Sequence, residues 1–253
     1  MIKAAFFDID GTLISHTLKD IPMSTKKAIQ ALKDKGIKVF IATGRHLEEM
    51  KDLPLSLSFD GYVTLNGQLC LDSKFHKTYG CPITGKDKEI LVSLFNEKKI
   101  PMLIVEEHRL YLNFVNDQVI QAQQDISSPI PEISDYNGND IYQFIMYTNE
   151  SEQIQRMLTH CKISRWNPNA IDIIPTSGGK VKGIQSFLDQ YDLKPSDIIA
   201  FGDSENDQDM LLFAGIGIAM GNSDQKTKQC ANYITQSVDE DGIDHALKHF
   251  GIL

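Results

Sequence analysis

The 253-residue chain is short of positive charge, poor in cysteine and free of long apolar runs. Its 25 lysines and arginines face 34 acidic residues, a net charge of −9. A protein of that sign is repelled by nucleic-acid backbones and anionic lipid, so neither is expected as a partner. If its substrate is an anion, local positive charge must come from a few placed residues or a metal. Cys70, Cys81, Cys161 and Cys230 form no C-x-x-C pair and no dense framework, which fits a reducing compartment. The longest weakly polar stretch, Met210 to Gly221, is glycine-broken and too short to span a bilayer. The chain opens directly on a strand-like run, without a basic segment, apolar stretch and cleavage site. Internal repeats and low-complexity tracts are also lacking. The expectation is a cytoplasmic protein, monomeric or homodimeric.

What is present alternates. Residues 1–45 read as strand, turn, helix, strand, turn. Ser24 is expected to cap a helix carrying Ala28, Ile29 and Leu32 at helical spacing, and Gly36 to end it. Lys38–Ala42 then reads as a strand covered on both faces. Gly61–Leu65 reads as another, with a turn at Asn66-Gly67. The pattern returns near the C-terminus: a helix from about Lys182 to Tyr191, a strand Asp197–Phe201, a helix through Met210-Leu211-Leu212, and a strand Ile216–Met220. One α/β domain built from residues 1–81 and 176–253 is the reading. Residues 82–175 differ. There the order is helix, strand, strand, helix, strand, helix, strand, strand, with hairpins at Met102–Glu106 with Leu110–Phe114 and at Lys162–Trp166 with Ala170–Ile174. This predicts an inserted α+β domain with an antiparallel sheet. Asp125–Asn139, rich in Ser, Pro, Asp and Gly, is expected to be its mobile loop.

The first strand runs into Asp8-Ile9-Asp10-Gly11-Thr12. Two carboxylates one residue apart at the end of a buried strand are poor structural material, and side chains at i and i+2 of a strand share a side. Carboxylates converging on one point repel, and a hard divalent cation such as Mg²⁺ removes the conflict. An acidic strand-to-turn corner is the plain alternative, and the rest of the chain decides between them. In an open parallel sheet ligands bind beyond the carboxyl ends of the strands. Those ends deliver Asp8 and Asp10, then Thr43-Gly44-Arg45, then Gly202-Asp203-Ser204-Glu205-Asn206-Asp207, with Lys180 in a glycine-rich approach to a helix. Each loop alone is weak. Together, carboxylates for a metal with Lys, Thr and amides for an anion make a site for a phosphoryl group.

Asp8-x-Asp10-Gly-Thr, Thr43, Lys180 and Gly202-Asp203-x-x-Asn206-Asp207 resemble the four motifs of the haloacid dehalogenase (HAD) superfamily of phosphatases, most closely its Cof-type branch. The resemblance implies a Rossmann-like parallel-sheet core. Only 33 positions separate Asp10 from Thr43, whereas 137 separate Thr43 from Lys180, so the insert falls where the C2 type of cap lies, and its strand pairs suit the C2B variety. By resemblance Asp8 is the nucleophile that forms an aspartyl phosphate, and Asp10 is the general acid and base. Asp8, the backbone carbonyl of Asp10, and Asp203 would hold Mg²⁺. Ile9, Thr43, Gly44, Arg45, Lys180 and Asn206 would bind the substrate, and Asp207 would orient Lys180 or the metal ligands. The implied activity is hydrolysis of small phosphorylated metabolites, with sugar phosphates favoured. The rivals are a hexose-phosphate mutase of the phosphomannomutase type and a regulator that binds phosphometabolites without turnover. Arg45, Asn66, Arg109, Tyr111, Trp166 and Asp172 are candidates for leaving-group contacts, with a reading as sheet-face or interface residues favoured for those of the insert.

Overall fold

The structure, a computed structural model, describes residues 1–15, 17–50, 57–126 and 128–253. They divide into two compact units, Met1–Tyr79 with Lys180–Leu253, and Gly80–Gly179. The first chain segment supplies β1 (Ala4–Phe7), α1 (Met23–Asp34), β2 (Lys38–Ala42), α2 (Leu47–Met50), β3 (Gly61–Thr64), β4 (Leu69–Asp72) and β5 (Lys77–Gly80). The contiguous unit supplies α3 (Gly85–Glu97), β6 (Met102–Val105), β7 (Leu110–Leu112), α4 (Asp117–Asp125), β8 (Gln143–Met146), α5 (Ser151–Gln155), β9 (Cys161–Asn167) and β10 (Ala170–Pro175). The last segment supplies α6 (Lys180–Tyr191), β11 (Ile198–Gly202), α7 (Gln208–Phe213), β12 (Ile216–Ala219), α8 (Gln225–Gln229), β13 (Tyr233–Ile234) and α9 (Gly242–His249).

The discontinuous unit is an eight-stranded sheet in the order β13-β12-β11-β1-β2-β3-β4-β5. Pairing is parallel from β13 to β3, and β4 runs antiparallel to β3. Central strands with helices on both faces must be apolar throughout, and all four residues of β1 are fully buried. Alternate residues face opposite sides. Ala4, Phe6, Phe40, Ala42, Ile198 and Ala200 therefore share one cluster with Ile184, Phe187 and Leu188 of α6 and Met210 and Leu211 of α7. Gly183 lets α6 lie close on the sheet, because a Cβ there would stand 2.6 Å from Val63 Cγ1 and 2.9 Å from Cys70 Sγ. Asp8 continues the alternation 4, 6, 8, so its side chain leaves β1 on the α6 side.

Two readings of this unit need correction. Helix α1 begins at Met23 behind Pro22, whose ring presets a helical φ; the Ser24 hydroxyl caps nothing and donates to Asp241. Strand β4, the edge strands β5 and β13 and the short helices α2 and α8 were not expected.

The inserted unit is an antiparallel sheet in the order β7-β6-β8-β10-β9. Leu91 and Phe95 of α3 and Ile154 of α5 join Met102, Ile104, Phe144, Met146, Ile171 and Ile173 in its core. Residues 128–139 make several hydrogen bonds to the sheet. Leu112 N donates to Glu132 O (2.8 Å) and Ser134 N to Leu112 O (2.9 Å), which covers the exposed edge of β7. Arg109 pairs with Glu132 (3.2 Å), and Asn139 Nδ2 donates to the buried Glu106 (2.8 Å). Turn-rich composition marked this segment as a loop, but not the edge strand it pairs with.

Candidate active site

The parallel register brings three strand ends side by side. Phe7 is level with Phe201 and Ile41, and Asp8 N donates to Phe201 O at 3.0 Å. One position on along these strands come Asp8 and Gly202, and two positions on Asp203 and Thr43. Lys180 is the first residue of α6, two positions before the start expected from the sequence. Its ammonium is buried and reaches Asp8 Oδ1 at 2.8 Å and Asp207 Oδ1 at 2.6 Å. The other oxygen of Asp207 accepts the Asp203 and Ser204 amides, both at 3.0 Å. Asp207 is thus fully engaged in fixing Lys180 and the loop that carries Asp203.

Oxygens of Asp8, Asp203 and Asp207 lie within 4.8 Å of one another. Three carboxylates around one ammonium leave a net negative cluster. Burial, and then Asp207, push the Asp8 carboxyl well above the usual carboxylate range; Lys180 opposes them without cancelling them. For Lys180, burial alone would lower the pKa, but Asp207 and Asp8 outweigh it and raise it. A hard divalent cation fits this donor set of oxygens and its unbalanced charge. Gly11 makes the approach possible. Its φ is +81°, and a Cβ there would stand 2.3 Å from Asp203 Oδ2. Thr12 Oγ1 donates to Asp203 Oδ1 at 3.1 Å.

Asp10 does not converge with Asp8 on one point, because strand geometry ends at Phe7 and the chain then turns through Gly11. Its carboxylate is gripped by Arg45 in a bidentate pair, Nε to Oδ2 at 2.7 Å and Nη2 to Oδ1 at 2.8 Å. Hydrogen bonding to Asp10 raises the Arg45 pKa further. Ile9 has a fully buried side chain and a carbonyl that accepts the amides of Leu13 and Ile14, so only its N–H can serve a ligand. Thr43 is buried, and its hydroxyl accepts Arg45 N at 3.2 Å.

Asn66 lies beside the Thr43 loop. It lies in a run of positive φ, Leu65 at 51°, Asn66 at 52° and Gly67 at 87°. This strained turn is held against the Thr43 loop by Asn66 N to Thr43 O (3.0 Å) and Leu65 N to Arg45 O (3.2 Å). The Asn66 carbonyl accepts Asn206 Nδ2 at 2.9 Å, so it orients a predicted phosphate ligand. Among candidates in the inserted unit, Tyr111 is a core residue, fully buried with its hydroxyl on Glu106 at 2.7 Å. Arg109 stacks over that ring at 4.2 Å, and Trp166 and Asp172 are half-buried on β9 and β10.

Residues 5–247 match the family of haloacid dehalogenase-like hydrolases. The chain belongs to this family. "Putative phosphatase YkrA" of Bacillus subtilis (strain 168) is 31% identical over 99% of this chain and 98% of its own length. The 5-amino-6-(5-phospho-D-ribitylamino)uracil phosphatase YitU of the same organism is 28% identical over 96% of this chain and 95% of its own. Among solved structures, the HAD subclass IIB sugar phosphatase BT4131 is 34% identical, covers 99% of this chain and 100% of that one, and superimposes with a TM-score of 0.84. This member of the family is a HAD phosphatase, a phosphoric monoester hydrolase with a parallel-sheet core and an inserted cap unit. None of its helices among the described residues is long and apolar enough to cross a membrane.

Proposed function

We propose that the chain hydrolyses phosphate monoesters of small polyhydroxylated metabolites, sugar phosphates foremost, through an aspartyl phosphate on Asp8 with Mg²⁺ as cofactor. The observation that carries this reading is the buried Asp8 with one oxygen on Lys180, at the edge of a carboxylate cluster that a single cation leaves unbalanced. Asp8 Oδ2 forms the bond to phosphorus while the ester P–O bond breaks, and Asp10 gives its proton to the departing alkoxide. Water then attacks the acyl phosphate, Asp10 takes its proton, and Asp8 is regenerated with release of inorganic phosphate.

In this reading Asp10 enters the first step as an acid, so Arg45 has to release it. The freed guanidinium then meets the anionic substrate, so that substrate arrival arms the acid. Lys180, Thr43, the Ile9 and Gly44 amides and Asn206 stabilise the phosphoryl oxygens, with Asp207 and Asn66 fixing the first and last of these. Mg²⁺ would be held by Asp8, the Asp10 backbone carbonyl and Asp203, and when bound supplies positive charge that draws phosphoryl group and nucleophile together.

The preference for sugar phosphates rests on two relatives. BT4131 is named a sugar phosphatase, and the name of YitU specifies a phosphoribityl group, so both names describe a phosphate ester of a hydroxylated carbon chain. A cytoplasmic location is supported by four free cysteines.

The test is phosphate release across sugar phosphates, nucleotides, pyridoxal phosphate and flavin mononucleotide, with Mg²⁺ and with EDTA. Metal-dependent release that ranks sugar or polyol phosphates first is expected. Release that survives EDTA, or that survives Asp8→Asn, overturns the mechanism; no release with isomerised hexose phosphate identifies a mutase instead.

A further inference from the structure

The strand end that follows Asp203 carries a residue with no assigned role. Strand β12 lies parallel to β11 with Ala219 level with Gly202, and Met220 N donates to Gly202 O at 3.0 Å. Two residues on, Asn222 stands beside the carboxylate cluster. Its Nδ2 donates to the Gly11 carbonyl at 2.9 Å and to Asp203 Oδ2 at 3.3 Å. Its Oδ1 accepts Val238 N at 3.1 Å, which fixes which way the amide faces. With Thr12 on the other oxygen, Asp203 is held by a donor on each side.

We infer that Asn222 is a positioning residue for the cation: it sets the plane of Asp203 and ties the Asp8–Thr12 loop to it, so that the oxygens from the two loops stand ready together. This rests on the reading that Asp8, Asp10 and Asp203 hold Mg²⁺. The chemistry suits the task. A neutral amide orients a carboxylate without competing for the metal's charge. Partners of this kind, one step behind the ligands, are worth 10–100-fold in metal affinity or activity.

The experiment is calorimetric titration of Mg²⁺ into the metal-stripped full chain without substrate, on wild type and Asn222→Ala, followed by turnover against Mg²⁺ concentration. Expected are a dissociation constant weakened roughly tenfold in the variant and turnover that recovers as Mg²⁺ is raised. Equal affinity in the two proteins overturns the inference, whereas failure of wild type itself to bind Mg²⁺ overturns the cofactor reading beneath it. Should Asn222→Ala not fold, Asn222→Asp keeps the acceptor for Val238 N and sets a second carboxylate against Asp203. It should melt below wild type in EDTA and regain the difference in Mg²⁺. A variant that matches wild type in both conditions, or stays below it by the same margin in both, shows that Asn222 only latches the Val238 turn.

Discussion

The two units treat buried charge in opposite ways. In the inserted unit every buried carboxylate is matched by donors. Asp87 accepts Thr159 N, Thr159 Oγ1 and His160 N, and Glu106 accepts Tyr111 and Asn139. In the discontinuous unit Asp8, Asp203 and Asp207 crowd together with one lysine between the first and last, and the first is pushed out of its usual range. Both arrangements place carboxylates in buried positions. Carboxylates met by neutral donors fasten helix to loop or loop to strand edge, while crowded carboxylates cost stability and are where the proposed cation and anionic substrate would complete the balance.

Substitutions can break that contrast, and the largest effect belongs to Asp8. Asp8→Asn should lower phosphate release by about 10⁴-fold or more, yet the metal-free protein should melt no lower than wild type, because one of the crowded charges is gone. A parallel loss of melting temperature would mean the cluster is structural. Next comes Lys180→Met, expected to cost roughly 10²–10³-fold in kcat. Unlike the first, it should also destabilise, since it leaves two buried carboxylates facing each other; denaturant melts read this directly.

The inserted unit should answer in stability alone. Asp87→Asn should cost about 1–3 kcal/mol, with kcat unchanged at a temperature where the variant is folded. Burial by itself would raise the Asp87 carboxyl, but the bonds from His160 and Thr159 outweigh it and hold it low. Its stabilisation is therefore present above the unfolded value of about 3.9 and is lost as pH falls through the lower folded value. Acid melts of wild type should steepen there, and those of Asp87→Asn should not. The smallest change, Tyr111→Phe, should cost roughly 1 kcal/mol and leave substrate ranking untouched. A shift in that ranking would return Tyr111 to the list of leaving-group contacts.

Much of this was legible in the chain, for a physical reason. Buried parallel strands are apolar runs, and each run that stops at Asp, Thr-Gly or Gly-Asp announces both its end and its chemistry. Thus Asp8, Thr43 and Asp203 could be placed before any coordinates. The same rule applied to the run ending at Met220 would have found Asn222. The grip of Arg45 on Asp10 was not legible, since 35 positions separate the two and neither residue type specifies its partner. The strands β4, β5 and β13 escaped because they are short or lie toward the sheet's edge, and in β5 and β13 solvent exposure removes the apolar signature. The link from Asn66 to Asn206 was equally hidden, because a left-handed φ at three consecutive residues is invisible in composition.

The strand order has a consequence for how the molecule comes into being. Strand β1 sits between β2, which follows within some thirty residues, and β11, which begins at Ile198. During synthesis the first half-sheet must therefore wait with one edge bare until nearly two hundred residues have been made, whereas Gly80–Gly179 is contiguous and can close as soon as it emerges. Asp203 and Asp207 join Asp8 only after that delay. The carboxylate cluster is thus completed late in synthesis, and no truncated product ending before β11 can carry it.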